Sequence, residues 1–248
     1  MRAIYILWLR QLKRHFRSRP RMVGSLAQPL LFLLALGFGF GPIYRRAGGG
    51  NYIQFLAPGV ITMGILFPGI FSGIEIIWDK QFGFLKETLV APVTRLEIMI
   101  GRTLGGATVA TFQGCVVFLF AYVAGFRPLA GPILPLALVF MLLVALLITA
   151  LGTAVALVLE DIQGFQMITN LLVMPIFFLS SALFPLEGLP RAIAIVARLD
   201  PLTYGVDGLR GTLTHASHFS LMADLSVLSA VTAILLAVGS YLFSKIQI

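Results

Sequence analysis

Six stretches of 20 or more residues run without a single Asp, Glu, Lys or Arg: Met22 to Tyr44, Ala47 to Ile74, Thr103 to Phe126, Pro128 to Leu159, Ile162 to Leu186 and Leu225 to Ser244. A helix crosses roughly 30 Å of hydrocarbon in about 20 apolar residues. Hydrocarbon offers the backbone no outside hydrogen-bond partner, so runs of this length fold as membrane-spanning helices. The predicted fold is therefore all-α, a single transmembrane domain over 1–248 with six spanning helices. The longest runs must also hold loop: GGGNY at 48–52 has turn chemistry, and Pro58 suits a first helical position, which starts the second helix near Ala57. The predicted spans are 22–44, 57–78, 103–126, 132–158, 165–185 and 225–244. Composition agrees, with 58% hydrophobic and 11% charged residues, against about 45–50% apolar in soluble domains.

The first 20 residues, MRAIYILWLRQLKRHFRSRP, are of another kind. Ile4, Trp8, Leu12 and Phe16 recur every four residues beside Tyr5 and Leu9, while Arg10, Lys13, Arg14 and Arg17 take the opposite side of the same helix. This pattern predicts an interfacial helix over 1–20 that lies along the membrane surface, with membrane lipids as partner and Trp8, Arg10, Lys13, Arg14, Phe16 and Arg17 as its surface residues. Docking on another protein is the alternative. Apolar-then-basic order reverses that of a cleaved signal peptide, so the segment is expected to remain in the mature protein.

Lys and Arg counts set the orientation, because positively charged segments resist translocation. Twelve fall on the side of residues 1–21, Lys80, Lys86, Arg95, Arg102 and Lys245; six fall on the other, at Arg45, Arg46, Arg127, Arg191, Arg198 and Arg210. Both termini are thus predicted to be cytoplasmic. The net charge of +8 is explained by these loops and by anionic headgroups, and no nucleic-acid partner is expected. The single Cys115 excludes an intrachain disulfide. Residues 186–211 are apolar in part but broken by Pro190, Pro201 and glycines, too interrupted to span. They are predicted to form short re-entrant or interfacial helices on the outer side, with Ile193, Val196 and Leu199 packed inward and Arg191 and Arg198 reaching headgroups.

Several chemistries are missing. No Lys follows a Gly, since Lys13, Lys80, Lys86 and Lys245 are preceded by Leu, Asp, Leu and Ser, so no Walker A motif ends in Gly-Lys. His215 and His218 in THASH do not form a helical zinc motif. Acidic residues are not spaced through the spans as an ion-coupled carrier ordinarily needs. Glu75 lies about 27 Å along a helix beginning near Ala57, close to the interface, where snorkelling is the preferred reading and a gating role the minor one. Trp78 beside it suits an interface anchor. Gly37 and Gly41, Gly69 and Gly73, and Gly101 and Gly105 form Gly-xxx-Gly pairs, read as helix contacts within the chain or across a dimer.

WDKQFGFLKETLVAPVTRLEIMIGRTLGGAT, residues 78–108, resembles the first cytoplasmic loop of the membrane subunits of type-2 ABC exporters. SSALFPLEGLPRAIAIVARLDPLTYGVDGLRG, residues 180–211, resembles that family's C-terminal signature before the last span, and the whole chain is similar to the branch of daunorubicin-resistance permeases, nodulation-factor exporters and polysaccharide exporters. The resemblance implies a permease subunit of the cell membrane, with two permeases, identical or paralogous, and two separate ATP-binding subunits forming the exporter. ATP and Mg would be bound by the partner, leaving this chain without cofactor, metal or catalytic residues. It implies a coupling helix within the loop 79–96, formed by Asp79, Lys80, Gln81, Phe82, Gly83, Phe84, Leu85, Lys86 and Glu87, with the apolar side chains as knobs for a groove on the ATPase. Glu160, Asp161 and Gln163 would form a second cytoplasmic contact, a simple two-charge turn being an equal alternative. The implied cargo is an amphiphilic drug, lipid or (lipo)polysaccharide, with no substrate-binding residue assigned. The rival readings are an ion-coupled secondary transporter and a membrane channel, both working without an ATPase.

Overall fold

The computed structural model describes residues 2–46, 50–84, 93–129, 131, 133–186 and 190–245, and among these the regular structure is helical. The helices are α1 (Arg2–Arg17), α2 (Arg19–Arg46), α3 (Tyr52–Phe71), α4 (Ile74–Gln81), α5 (Arg95–Val123), α6 (Leu134–Val158), α7 (Ile162–Leu179), α8 (Arg191–Leu199), α9 (Pro201–Thr214) and α10 (Leu221–Lys245). Six segments are long and apolar enough to cross a membrane: Met22–Arg46, Tyr52–Gln81, Arg95–Val123, Leu134–Val158, Ile162–Leu179 and Leu221–Lys245. The predicted count of six holds, and the chain is a multi-pass membrane protein.

Helix starts differ from expectation where a cap was overlooked. The second span begins at Tyr52, not near Ala57, because the Asn51 side chain accepts a hydrogen bond from Ile53 N and leaves Pro58 inside the helix. Ahead of its charge-free run, α5 gains eight residues from a capping box in which Thr94 Oγ1 accepts from Glu97 N and Glu97 Oε2 accepts from Thr94 N. Asp161 caps α7 through Gly164 N at 2.6 Å.

At the centre of the bundle, α3 lies against α5 and α6. Leu56, Ile61, Ile65, Leu66 and Ile70 are fully buried there, in one core with Val117, Val144 and Phe140. The short break at Ser72–Gly73 joins α3 to α4 and packs backbone to backbone on α6. A Cβ on Gly73 would sit 2.4 Å from the backbone oxygen of Gly152, and one on Gly152 would sit 2.4 Å from that of Ile70. Bare backbone on both sides is what admits this approach. By contrast, α2, α7 and α10 leave apolar side chains such as Leu31, Met167, Leu171 and Ile234 exposed, as lipid-facing helices do.

The first helix is docked on the protein, where the sequence pattern had its apolar stripe facing the membrane. Trp8 Nε1 donates to Thr108 Oγ1 at 3.0 Å, and Leu7 and Gln11 press on Gly101 and Gly105 of α5. That Gly-xxx-Gly pair therefore serves an intrachain contact. Tyr5, Ile6 and Phe16 stay exposed.

At the opposite end, α8 and α9 form the predicted pair of short helices. Asp200 ends one and caps the other through Leu202 N at 2.9 Å. Most of α9 is buried, and Arg210 donates to the carbonyl oxygen of Ser181 at 2.8 Å while stacking over Phe55 at 4.3 Å. Ile193, Val196 and Leu199 are exposed, which corrects their expected inward packing; Ala197 is the buried residue of α8. A small side chain lets α8 lie close to the bundle, and the larger apolar ones are left to face outward.

Candidate functional site

The chemistry of the chain gathers where α1 crosses the ends of α4 and α5. Asp79, in the last turn of α4, accepts from Arg10 Nη2 at 2.9 Å through one carboxylate oxygen and from Arg102 Nη2 through the other. Its side chain and that of Arg102 are each only 4% exposed, while Arg10 keeps 42% of its side chain in the open. One carboxylate thus ties three elements together. One turn earlier, Glu75 is buried and lies 3.7 Å from Arg14, which also stacks 4.9 Å above Trp78. Glu75 is held inside the fold rather than snorkelling to an interface. Packing of α1 over the end of α4 buries it and brings Arg14 with it.

Lys80 turns the other way. Its Nζ donates to the carbonyl oxygens of Ala156, Leu157 and Leu159 at 3.0, 2.6 and 3.0 Å. These carbonyls end α6 and have no partner further along the helix, and a cation there also favours the helix dipole. Gln81 Nε2 continues the contact to the Glu160 carbonyl oxygen at 3.3 Å. The two segments read from sequence as separate contacts are therefore neighbours, joined through Lys80 and Gln81. Lys80→Met is expected to free three carbonyls at the α6 terminus and cost about 1–3 kcal/mol. Hydrogen exchange should quicken in the turn at 158–164, whose closure Lys80 secures, with little change in the centre of α3.

After Gln81 the side chains become exposed. Phe82 is 73% exposed and Phe84 51% exposed, and between them Gly83 turns at φ +79°, a backbone that side chains with a Cβ rarely adopt. Glu160, Asp161 and Gln163 are exposed in and after the turn that Gln81 contacts. Leu85, Lys86 and Glu87 lie outside the described residues.

A cavity of about 440 Å³ opens behind this end, between α1, α2, α3, α4, α5 and α7. Phe67, Phe71 and Trp78 give it apolar walls, and Gln11, His15, Gln28, Glu75 and Gln166 give it polar ones. The polar side is fixed by a chain of contacts: Ser25 Oγ donates to Gln113 Oε1 at 2.8 Å, and Gln113 Nε2 lies 3.2 Å from His15 Nε2. The cavity suits a molecule with an apolar part and a hydrogen-bonding head. Among the described residues no group of three or more His, Cys, Asp or Glu could hold a metal ion.

The family model for the ABC-2 type transporter matches residues 2–214, a range that includes the docked helix, the charge cluster and the short helices α8 and α9. The chain belongs to the ABC-2 type transporter family. It is 30% identical to the transport permease ycf38 of Cyanophora paradoxa, over 95% of this chain and 84% of that one. It is 29% identical to nodulation protein J of Rhizobium leguminosarum bv. trifolii, over 84% of this chain and 78% of that protein. Membership in this permease family implies a partner subunit with an ABC ATP-binding domain.

Within the ABC-2 permease, the residues assigned from sequence to a coupling helix divide in two. Asp79 and Lys80 are engaged inside the chain, whereas Phe82 and Phe84 remain exposed. Of the surface-helix residues, Arg10 and Arg14 reach back to carboxylates, and Trp8 faces α5. Arg102 is the member of the site that sequence reasoning did not single out; Glu75 was singled out, with a gating role as the minor reading. An Arg one residue before a charge-free run was a signal, since a charge that deep in a spanning helix needs a partner.

Proposed function

We propose that the chain is the permease of an ATP-driven exporter and that the end carrying α1 is cytoplasmic. Two copies pair with two ATP-binding subunits, which hold ATP and Mg, in the cell membrane. A conformational change is driven only by a ligand that binds two states unequally. ATP favours the closed ATPase pair, and its closure pushes on the segment that begins at Phe82. An amphiphile enters the cavity lined by Phe67, Phe71 and Gln28 from the cytoplasmic side and leaves at the end formed by α8 and α9.

One observation carries this reading. Phe82 and Phe84 are exposed directly after Asp79 and Lys80, which fasten the end of α4 to α1, α5 and α6. A displacement of the exposed segment is thereby delivered to four helices rather than dissipated in a loose loop. Phe82→Ala/Phe84→Ala is expected to weaken copurification of the ATP-binding subunit at least about tenfold, as loss of aromatic anchors at an interface does. Membrane insertion and thermal stability should not change. Undiminished association of the double variant would remove the assignment.

A further inference from the structure

Beside the charge cluster lies a second, open groove of about 710 Å³ between α1 and the end of α4. Its cationic wall is Arg10, Lys13, Arg14 and Arg17, and its apolar edge includes Ile6 and Leu9 of α1. Two of the four cations are occupied: Arg10 is paired with Asp79 and Arg14 with Glu75. Asp79 is already neutralised by buried Arg102, so the groove carries excess positive charge. Among the described residues, Lys13 and Arg17 form no ion pair, and both are exposed one helical turn apart on α1.

The place of the groove narrows the choice of occupant. It is walled by the last turn of the span Tyr52–Gln81 and by the helix that directly precedes the span Met22–Arg46. That is the depth of lipid phosphates, where Trp and Arg side chains collect. From the charge, the apolar edge and this depth we infer that the groove is a binding site for an anionic phospholipid, its phosphate held by Lys13 and Arg17 and the start of its acyl chains laid against Ile6 and Leu9. Free phosphate would leave the apolar edge unused, and a zwitterionic lipid would bring a second positive charge to a wall already in excess.

The test uses the full-length permease, purified with its lipids exchanged by equilibration with mixed vesicles of phosphatidylglycerol and phosphatidylcholine, and read by native mass spectrometry. Wild type should retain phosphatidylglycerol preferentially. Lys13→Gln/Arg17→Gln should lower that retention about 30-fold, the factor given by two lost cations at about 1 kcal/mol each. Lys13→Arg/Arg17→Lys, which keeps both charges, should retain it. Equal melting temperatures of the variants show that the fold is intact. Equal retention of the two lipids, or phosphatidylglycerol retention unchanged in the Gln variant, would overturn the inference. So would a photo-crosslinker at Lys13 that captures an acidic segment of the ATP-binding subunit instead of lipid.

Discussion

Asp79→Ala is expected to lower the stability of the detergent-solubilised permease by roughly 3–5 kcal/mol, the usual cost of removing one partner from a buried ion pair. The reason lies in Arg102, whose side chain is as buried as that of Asp79 and whose Nε already lacks a hydrogen-bond partner. Without the carboxylate, that guanidinium is a bare charge inside the bundle. Arg10 loses less, because much of its side chain reaches solvent. It follows that Asp79→Ala/Arg102→Met should recover most of the loss, since an apolar pair of similar volume is often as stable as a buried salt bridge. Thermal unfolding of the three proteins decides the matter. Equal destabilisation by the single and double variants would show that Asp79 acts through something other than Arg102.

The second large effect is expected at the break between α3 and α4. Gly73→Val and Gly152→Val should each cost about 3 kcal/mol, the upper part of the usual range for overpacking, because each new Cβ would meet backbone 2.4 Å away and backbone cannot rotate aside. Gly41→Ala should be nearly neutral, since nothing lies within 4 Å of a Cβ there. Expression level and melting temperature of the three variants supply the comparison. A well-folded Gly152→Val would mean that α3 and α6 are not held at this distance in the membrane.

Gly37 and Gly41 show where reading the sequence stopped being enough. They have the same Gly-xxx-Gly spacing as Gly101 and Gly105, yet a Cβ on Gly37 would meet Ile53, one on Gly41 would meet nothing beyond its own helix within 4 Å, and the other pair cradles α1. Spacing reports which residues share a face, whereas the partner of that face is settled by tertiary packing. The spans were legible for the opposite reason. A run without charge is a property of the local sequence, and hydrocarbon enforces it residue by residue. Their starts were less so, because a single side chain such as Asn51 moves a boundary by a turn or more.

The functional end was legible in outline and not in detail. The stretch from Asp79 to Glu87 was picked out as a contact segment by its resemblance to the family, but sequence alone could not say that Asp79 would meet Arg10, 69 residues earlier, and Arg102, 23 residues later. Nor could it give Lys80 the carbonyls of α6, since backbone oxygens carry no residue identity. What the structure adds is a division of labour among the described residues of the stretch: Asp79 and Lys80 fasten it to the bundle, and Phe82 and Phe84 keep much of their surface exposed.

The central claim is that energy enters from a separate ATP-binding subunit through this end of the permease. The most direct measurement reconstitutes the permease with that subunit in liposomes and follows a fluorescent amphiphile across the bilayer. Movement is predicted only with both subunits and hydrolysable ATP present, and it should be lost with Phe82→Ala/Phe84→Ala. Movement by the permease alone in a proton or sodium gradient would contradict the account.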